Sequence, residues 1–274
     1  MKKLGFIGAG NMAEAIIRGV INSGAAENSD IIVSDANEMQ LDYMRERFMV
    51  QITRSNMDVA KAADILFLSV KPNVYDVVIN EICSGVKDGA LVVIIAAGLS
   101  IEAVRAKFCA SSDSCAGECV KLIKVMPNTP AMVNCGMSAI CAAENVTPAE
   151  LETVLQIFNS VGKTEILPEK LFDVFTALAG SSPAYVFTFV EAMADAGVKH
   201  GLSRKQSLEI STQAVIGAAK LLQNSDDHPA TLRDAVCSPG GTTIAAVCEL
   251  ERTGFRNAVI SAVDVCTEKY RSLG

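Results

Sequence analysis

The sequence predicts an α/β fold, with an N-terminal parallel-sheet domain followed by an all-helical domain. Three observations predict it. Short runs apolar on both faces alternate with helical patterns through the first half of the chain, as in a parallel sheet covered by helices on both sides. The first of these runs, Leu4-Gly5-Phe6-Ile7, enters a glycine-rich turn and a helical pattern follows at once. From Glu169 onward strand signals disappear and helix signals take over.

The first stretch sets the reading of the rest. Gly8-Ala9-Gly10-Asn11-Met12-Ala13 is a G-x-G-x-x-A fingerprint between a strand and a helix, the dinucleotide-binding form of the Rossmann-type fold. Gly8 allows the tight turn, Gly10 leaves room for a pyrophosphate, and Ala13 lets the helix pack close to the sheet. The N–H groups of Asn11 and Met12 open the helix and face the phosphates. Ala13 to Ile21 is amphipathic, and a second strand, Ile31-Ile32-Val33-Ser34, ends in Asp35. An acidic residue about twenty positions past the fingerprint is placed to bond the ribose 2′-hydroxyl.

Further elements follow in order. Glu38 to Phe48 is helical and Val50-Gln51-Ile52 is a short strand. Asp64 to Val70 is an apolar strand stopped by Lys71-Pro72, Asn73 to Ile82 is helical, and Ala90 to Ala96 is another strand, stopped by Ala97-Gly98. Ligands of such sheets bind beyond the C-terminal strand ends. That rule selects Ile7 to Met12, Asp35, Val70-Lys71-Pro72 and Ala96-Ala97-Gly98 as cofactor-binding. Lys71 reads either as a phosphate or carboxylate contact, or as an exposed loop lysine whose backbone touches the cofactor. Residues 109–119 have loop composition. Lys121 to Val125 is a strand delivering Met126-Pro127-Asn128-Thr129-Pro130, a rigid polar turn placed near substrate or nicotinamide. Thr147-Pro148-Ala149-Glu150 is a capping box opening a helix to about Ser160. The domains are expected at residues 1–165 and 166–274.

In the second domain, Ala184 to Met193 is apolar nearly all round. Such a helix must be buried, and about a hundred residues cannot bury it alone, so a second subunit is expected to cover it. Ser203-x-x-Gln206 caps a helix to about Gln223, and a last helix spans about Arg256 to Arg271. Between them lies Cys237-Ser238-Pro239-Gly240-Gly241-Thr242-Thr243. A Pro-Gly-Gly turn ahead of a helix presents backbone N–H groups as an anion nest. Ser238, Thr242 and Thr243 add hydroxyls, and the absence of charge suits a small carboxylate held mainly by backbone.

Composition narrows the function. The 274 residues carry a formal net charge of −7, which argues against nucleic acid as a partner. Apolar runs are broken before a signal peptide or a membrane span is complete, so a cytoplasmic location is expected. Nine cysteines are present. Cys109, Cys115 and Cys119 cluster, but without a C-x-x-C pair or a nearby histidine, so no metal is expected. Cys83, Cys141, Cys248 and Cys266 read as small buried hydrophobes. Neither histidine, His200 or His228, falls in a catalytic motif. Hydride transfer to a carbon–nitrogen double bond fits this inventory, because it needs positioning and polarisation rather than a strong base.

The chain resembles the pyrroline-5-carboxylate reductases over nearly its whole length. The matching motifs are Phe6 to Met12, Val70-Lys71-Pro72, Ala96-Ala97-Gly98, Met126 to Pro130, Gly180-Ser181-Ser182-Pro183-Ala184-Tyr185-Val186-Phe187 and Ser238 to Thr243. The resemblance implies reduction of Δ1-pyrroline-5-carboxylate to L-proline with NADPH or NADH, the last step of proline biosynthesis. It implies a homodimer interleaved through the helical domain, and often a ring of dimers. It places Thr243 on the pyrroline nitrogen and Ser238, Gly240, Gly241 and Thr242 on the carboxylate, with Met126 and Asn128 near the substrate and Asn56 near the adenosine. One departure stands out: the family often has Ser, Thr or Asn where this chain has Asp35, whose charge would repel a 2′-phosphate. NADH is therefore expected to serve at least as well as NADPH. Two other readings compete. One is another NAD(P)H-dependent imine reductase or a β-hydroxyacid reductase on the same scaffold; the acid dehydrogenases use a lysine on the helix after Ser181, where only Lys199 is available near its end. A non-catalytic nicotinamide-binding regulator would not need Thr243.

Overall fold

The computed structural model describes residues 2–111 and 120–272, which fall into two compact units. The first comprises the chain to Gly180 together with its end from Cys266; the second is Ser181–Val265. In its packing, the segment from 166 to Gly180 goes with the sheet unit. The reason is apolar: Phe172 and Phe175, just past the last strand, cluster with buried Ala139 of the sheet.

The sheet unit runs β1 (Leu4–Ile7), α1 (Asn11–Ser23), β2 (Ile31–Ser34), α2 (Glu38–Phe48), β3 (Gln51–Thr53), α3 (Asn56–Ala62), β4 (Ile65–Leu68), α4 (Tyr75–Ile82), β5 (Leu91–Ile94), α5 (Ile101–Ala110), β6 (Lys121–Met126), β7 (Gly136–Ala142), α6 (Pro148–Asn159), β8 (Gly162–Ile166) and α7 (Phe172–Phe175). Strand order is β3-β2-β1-β4-β5-β6-β7-β8. Every pairing is parallel except β6 with β7. Leu4 stands beside Ile31 on one flank and Ile65 on the other. The order reverses between β1 and β4, which opens a crevice at their C-terminal ends.

Strands β1, β4 and β5 are buried at every position. One face carries Phe6, Phe67 and Phe158 with α1 and α6; the other carries Ile7, Leu66, Tyr75 and Phe108 with α3, α4 and α5. Phe6 stacks on Phe67 with ring centroids 4.4 Å apart. Side-chain caps by Asn37, Ser55 and Ser100 start α2, α3 and α5, and the Thr147–Glu150 capping box starts α6.

The helical unit holds α8 (Ser182–Lys199), α9 (Arg204–Gln223), α10 (Pro229–Ala235) and α11 (Thr242–Arg252), with most of α12 (Phe255–Arg271). Helices α8 and α9 pack on each other, yet much of their apolar surface is open: Phe187 is 69% exposed and Ile210 56%. Patches this continuous mark an interaction surface. Cys248 is exposed and Cys83, Cys141 and Cys266 are half-buried. Against expectation, none of the four is fully buried in the single chain, Cys248 least because α11 has no buried residue. Cys115 and Cys119 lie outside the described residues, among which no group of three or more His, Cys, Asp or Glu could hold a metal. No described helix is long and apolar enough to cross a membrane.

Candidate active site

The glycine turn after β1 is built from the backbone outward. Gly8 has φ +97°, and a Cβ there would lie 2.6 Å from the Ser69 carbonyl oxygen, so only glycine fits. Its N–H donates to the Ser34 carbonyl at 2.8 Å. Gly10 caps α1 without a side-chain bond, and nothing lies within 4 Å of where its Cβ would stand. The N–H groups of the first turn, from Asn11 on, lack intrahelical acceptors and open onto that ground. Ala13 is fully buried, as close packing against the sheet requires.

Asp35 shapes this turn. Its Oδ2 accepts the Ala9 N–H at 2.7 Å and its Oδ1 the Asn37 N–H at 2.8 Å. Gln40 Nε2 donates to the Ala9 carbonyl at 2.7 Å. The carboxylate thus fixes the fingerprint loop while remaining part-exposed. Glu14, in the first turn of α1, is paired with Arg18 and accepts from the Tyr43 hydroxyl, which offsets its charge near a phosphate site. Asn56 accepts from Ser34 Oγ at 2.7 Å and donates to Glu81 at 2.7 Å, so its carboxamide ties β2 to α3 and α4.

Beyond β4, the Ser69 N–H donates to Ile7 at 2.9 Å, while the buried Ser69 hydroxyl has no partner. Sequence reasoning passed over Ser69; its signal is a lone hydroxyl at the end of an apolar strand. Val70 and Pro72 continue the turn, and Lys71 is exposed with no ion pair among the described residues. Beyond β5, Ala96 is buried and Ala97 and Gly98 are half-buried. The open ground over Gly10, the uncapped start of α1 and the orphaned Ser69 hydroxyl together fit a dinucleotide.

At the end of β6, Asn128 is committed to structure. Its Oδ1 accepts the Met137 N–H at 2.9 Å and its Nδ2 donates to the Ala179 carbonyl at 2.9 Å. Ala179 lies in a π-helical turn, Thr176–Gly180, a type of turn frequent at functional sites. Met126 lies against Gly180, its Cε 3.7 Å from where a Cβ would stand there. Lys124, in the middle of β6, is buried, with Nζ 3.0 Å from Glu169 Oε1 and 4.9 Å from the centre of the Phe172 ring. A lysine inside an apolar strand was the available sign of that pair.

In the helical unit, Gly240 has φ +67° and Gly241 caps α11 with no side-chain bond. A Cβ on Gly241 would lie 2.3 Å from Ser238 Oγ and 3.0 Å from the Ser238 carbonyl oxygen, so a side chain there would turn the Ser238 hydroxyl away. The Gly241 N–H closes the turn on the Ser238 carbonyl at 3.0 Å. Neither threonine serves as the cap, so the N–H groups of Thr242, Thr243 and Ile244 have no intrahelical acceptor. Ser238, Thr242 and Thr243 are exposed. This is an uncharged donor cluster at a helix N-terminus, suited to a carboxylate. His228 caps α10 through Nδ1, 3.2 Å from the Ala230 N–H, which gives it a structural role.

Comparison with known proteins adds independent findings. Residues 169–273 match the family model described as pyrroline-5-carboxylate reductase dimerisation, and residues 3–98 match that of NADP oxidoreductase, coenzyme F420-dependent. A pyrroline-5-carboxylate reductase from Escherichia coli is 42% identical over 272 residues, covering 99% of this chain and 98% of the relative. One from Arabidopsis thaliana is 37% identical over 271 residues, covering 99% and 95%. Among solved structures, the reductase from Coxiella burnetii superposes with a TM-score of 0.91 at 29% identity, covering 100% of this chain and 98% of that one. The Plasmodium falciparum enzyme, solved with NADP bound, gives 0.86 at 32% identity over 100% and 98%.

Proposed function

The chain belongs to the pyrroline-5-carboxylate reductase family, and on that premise we propose how its residues share the work of reducing Δ1-pyrroline-5-carboxylate to L-proline. It is an NAD(P)H-dependent oxidoreductase acting on a carbon–nitrogen double bond. The observation that carries the assignment of roles is the uncapped Gly241–Thr243 helix start beside the Ser238 hydroxyl.

The nicotinamide cofactor supplies a hydride when bound. Gly8 to Met12 hold its diphosphate on main-chain N–H groups and the α1 N-terminus. Asp35 and Asn56 border the adenosine ribose, and Val70 to Pro72 with Ala96 to Gly98 line the nicotinamide side. Ser238 and the N–H groups of Gly241 to Thr243 hold the substrate carboxylate. The Thr243 hydroxyl bonds the ring nitrogen and polarises the C=N bond, making its carbon the electrophile. The substrate binds as the N-protonated imine: its carbon would gain the hydride, the C=N π pair would return to nitrogen as a lone pair, and the proton already on nitrogen would remain as the amine N–H of the saturated ring. Met126 and Asn128 shape the pocket wall; Asn128 acts by holding the π-helical turn. The dimerisation domain supports self-association, with the apolar face of α8 and α9 as the buried surface; assembly of dimers into a ring and a cytoplasmic location complete this reading.

The test is steady-state oxidation of NADH or NADPH with pyrroline-5-carboxylate. Thr243→Ala should lower kcat about a hundredfold, the scale of one lost donor on developing charge. An unchanged kcat ends the assignment of Thr243. A nicotinamide-binding protein without turnover would revive the regulator reading.

A further inference from the structure

Two tyrosines not used above converge on the turn after β5. Tyr75 is fully buried. Its hydroxyl donates to the Leu68 carbonyl at 2.7 Å and accepts the Ile95 N–H at 3.3 Å. Leu68 and Ile94 are the last paired residues of β4 and β5. The phenol therefore continues the ladder one step beyond the point where main-chain pairing stops. Burial pushes the Tyr75 hydroxyl well above its ordinary range, so it stays protonated and keeps its donor. On the other side of the turn, the Tyr270 hydroxyl accepts the Gly98 N–H at 3.4 Å. Glu169 accepts the Ile101 N–H at 3.0 Å and is itself held by Lys124. Gly98, Lys124, Glu169 and Tyr270 share a cavity of about 340 Å³, so the turn has space beside it into which it could relax.

We propose that Tyr75 and Tyr270 are positioning residues for hydride transfer, fixing the Ile95–Gly98 turn that lines the nicotinamide side. This rests on the reading above that Ala96 to Gly98 face the nicotinamide. Ile95 and Gly98 each give their N–H to a phenol instead of a neighbouring strand. Loss of either phenol frees one end of the turn, and a small displacement there misplaces the ring. Diphosphate and adenosine contacts lie elsewhere, so cofactor affinity changes little.

The experiment compares wild type, Tyr270→Phe, Tyr75→Phe and Ala97→Val. Each is loaded with NADH and mixed with pyrroline-5-carboxylate in a single turnover; NADH Kd and Tm are measured in parallel. The expected result for Tyr270→Phe is a hydride-transfer rate lowered about fivefold or more, with Kd within about twofold of wild type and Tm retained. Tyr75→Phe should slow transfer similarly and also lower Tm, since it leaves a buried N–H and C=O without partners. Should Tyr75→Phe fail to fold, Tyr270→Phe decides alone. An unchanged rate in Tyr270→Phe overturns the proposal, as does a loss explained wholly by a smaller fraction of NADH-binding sites. Ala97→Val separates the two levels. If it slows transfer and Tyr270→Phe does not, only the tyrosine inference fails; if it too has no effect, the nicotinamide-facing reading of the turn fails with it.

Discussion

Replacing Asp35 by serine should shift cofactor choice toward NADPH. The carboxylate sits at the C-terminal end of β2, part-exposed, with its two oxygens turned to the Ala9 and Asn37 N–H groups. For a 2′-phosphate at the ribose site, a separation of about 5 Å is the order at which neighbouring charges act strongly on one another. One unit of charge on each group then repels by roughly 3 kcal/mol at an effective dielectric of about 20 and roughly 0.8 at about 80. For a part-exposed group the realistic range is about 1–1.5 kcal/mol, close to tenfold in kcat/KM. Asp35→Ser should therefore change the NADH to NADPH ratio of kcat/KM about tenfold toward NADPH, and less in high salt. Serine also leaves two N–H groups competing for one oxygen, so Asp35→Asn is the companion variant, keeping size and one acceptor without charge. A common shift in both variants that shrinks in high salt assigns the effect to charge rather than to the acceptor both have lost. A wild-type enzyme strongly preferring NADPH would refute the reasoning.

Other expectations concern the substrate cradle, the assembly and acid stability. Gly241→Ala should raise KM for pyrroline-5-carboxylate at least tenfold, because its methyl would strike Ser238 Oγ; steady-state kinetics with a circular-dichroism control decide. Phe187→Glu, at a position 69% exposed in the single chain, should shift sedimentation toward monomer; an unchanged oligomer would place the interface elsewhere. Glu150 is subject to burial, which alone would raise its pKa, but Lys121 and Thr147 hold it down to about 2. Its contribution is present above the unfolded-state value of about 4.3 and is lost as pH falls from there toward 2. Glu150→Gln should therefore be less stable than wild type at neutral pH and converge with it near pH 2, read by urea unfolding.

What could be read in advance was whatever local chemistry writes directly into the chain. The fingerprint turn, the capping boxes at Thr147 and Ser203, and the doubly apolar strands all announce themselves through neighbouring residues. Strands β7 and β8 did not. Gly136–Ala142 mixes serine, cysteine and methionine with no clean period, and Gly162–Ile166 is largely exposed; both depend on pairing partners distant in sequence. Among the candidate site residues, Gly8 and Gly240 were legible because their positive φ selects glycine, and Gly10 because it leaves open ground at the start of a helix. Ser69, Tyr75, Lys124 and Tyr270 were not, since each acts across more than one element. Asn128 was expected beside the substrate from its place at a strand end, whereas the Met137 and Ala179 contacts that occupy its carboxamide appear only in three dimensions.

The absence of a catalytic histidine follows from the chemistry. General acid–base work selects a side chain whose pKa lies near the working pH, and such a group would have to sit in one of the two cradles. His228 is spent on a helix cap, and Asp35 holds a turn. The Gly241–Thr243 cradle itself offers main-chain N–H and hydroxyl groups, which change no charge over the physiological range. Those groups suffice when the electrophile is an imine, because the substrate nitrogen itself can carry the proton that a ketone would have to draw from the protein. A scaffold of this kind leaves its ionisable residues free for selection and support: Asp35 where cofactors differ by a phosphate, and Lys124 with Glu169 beneath the turn at Gly98. On the proposed reading the functional division follows the charge: neutral donors would hold the reacting molecules, and charged side chains would govern which cofactor binds and how firmly the frame is held.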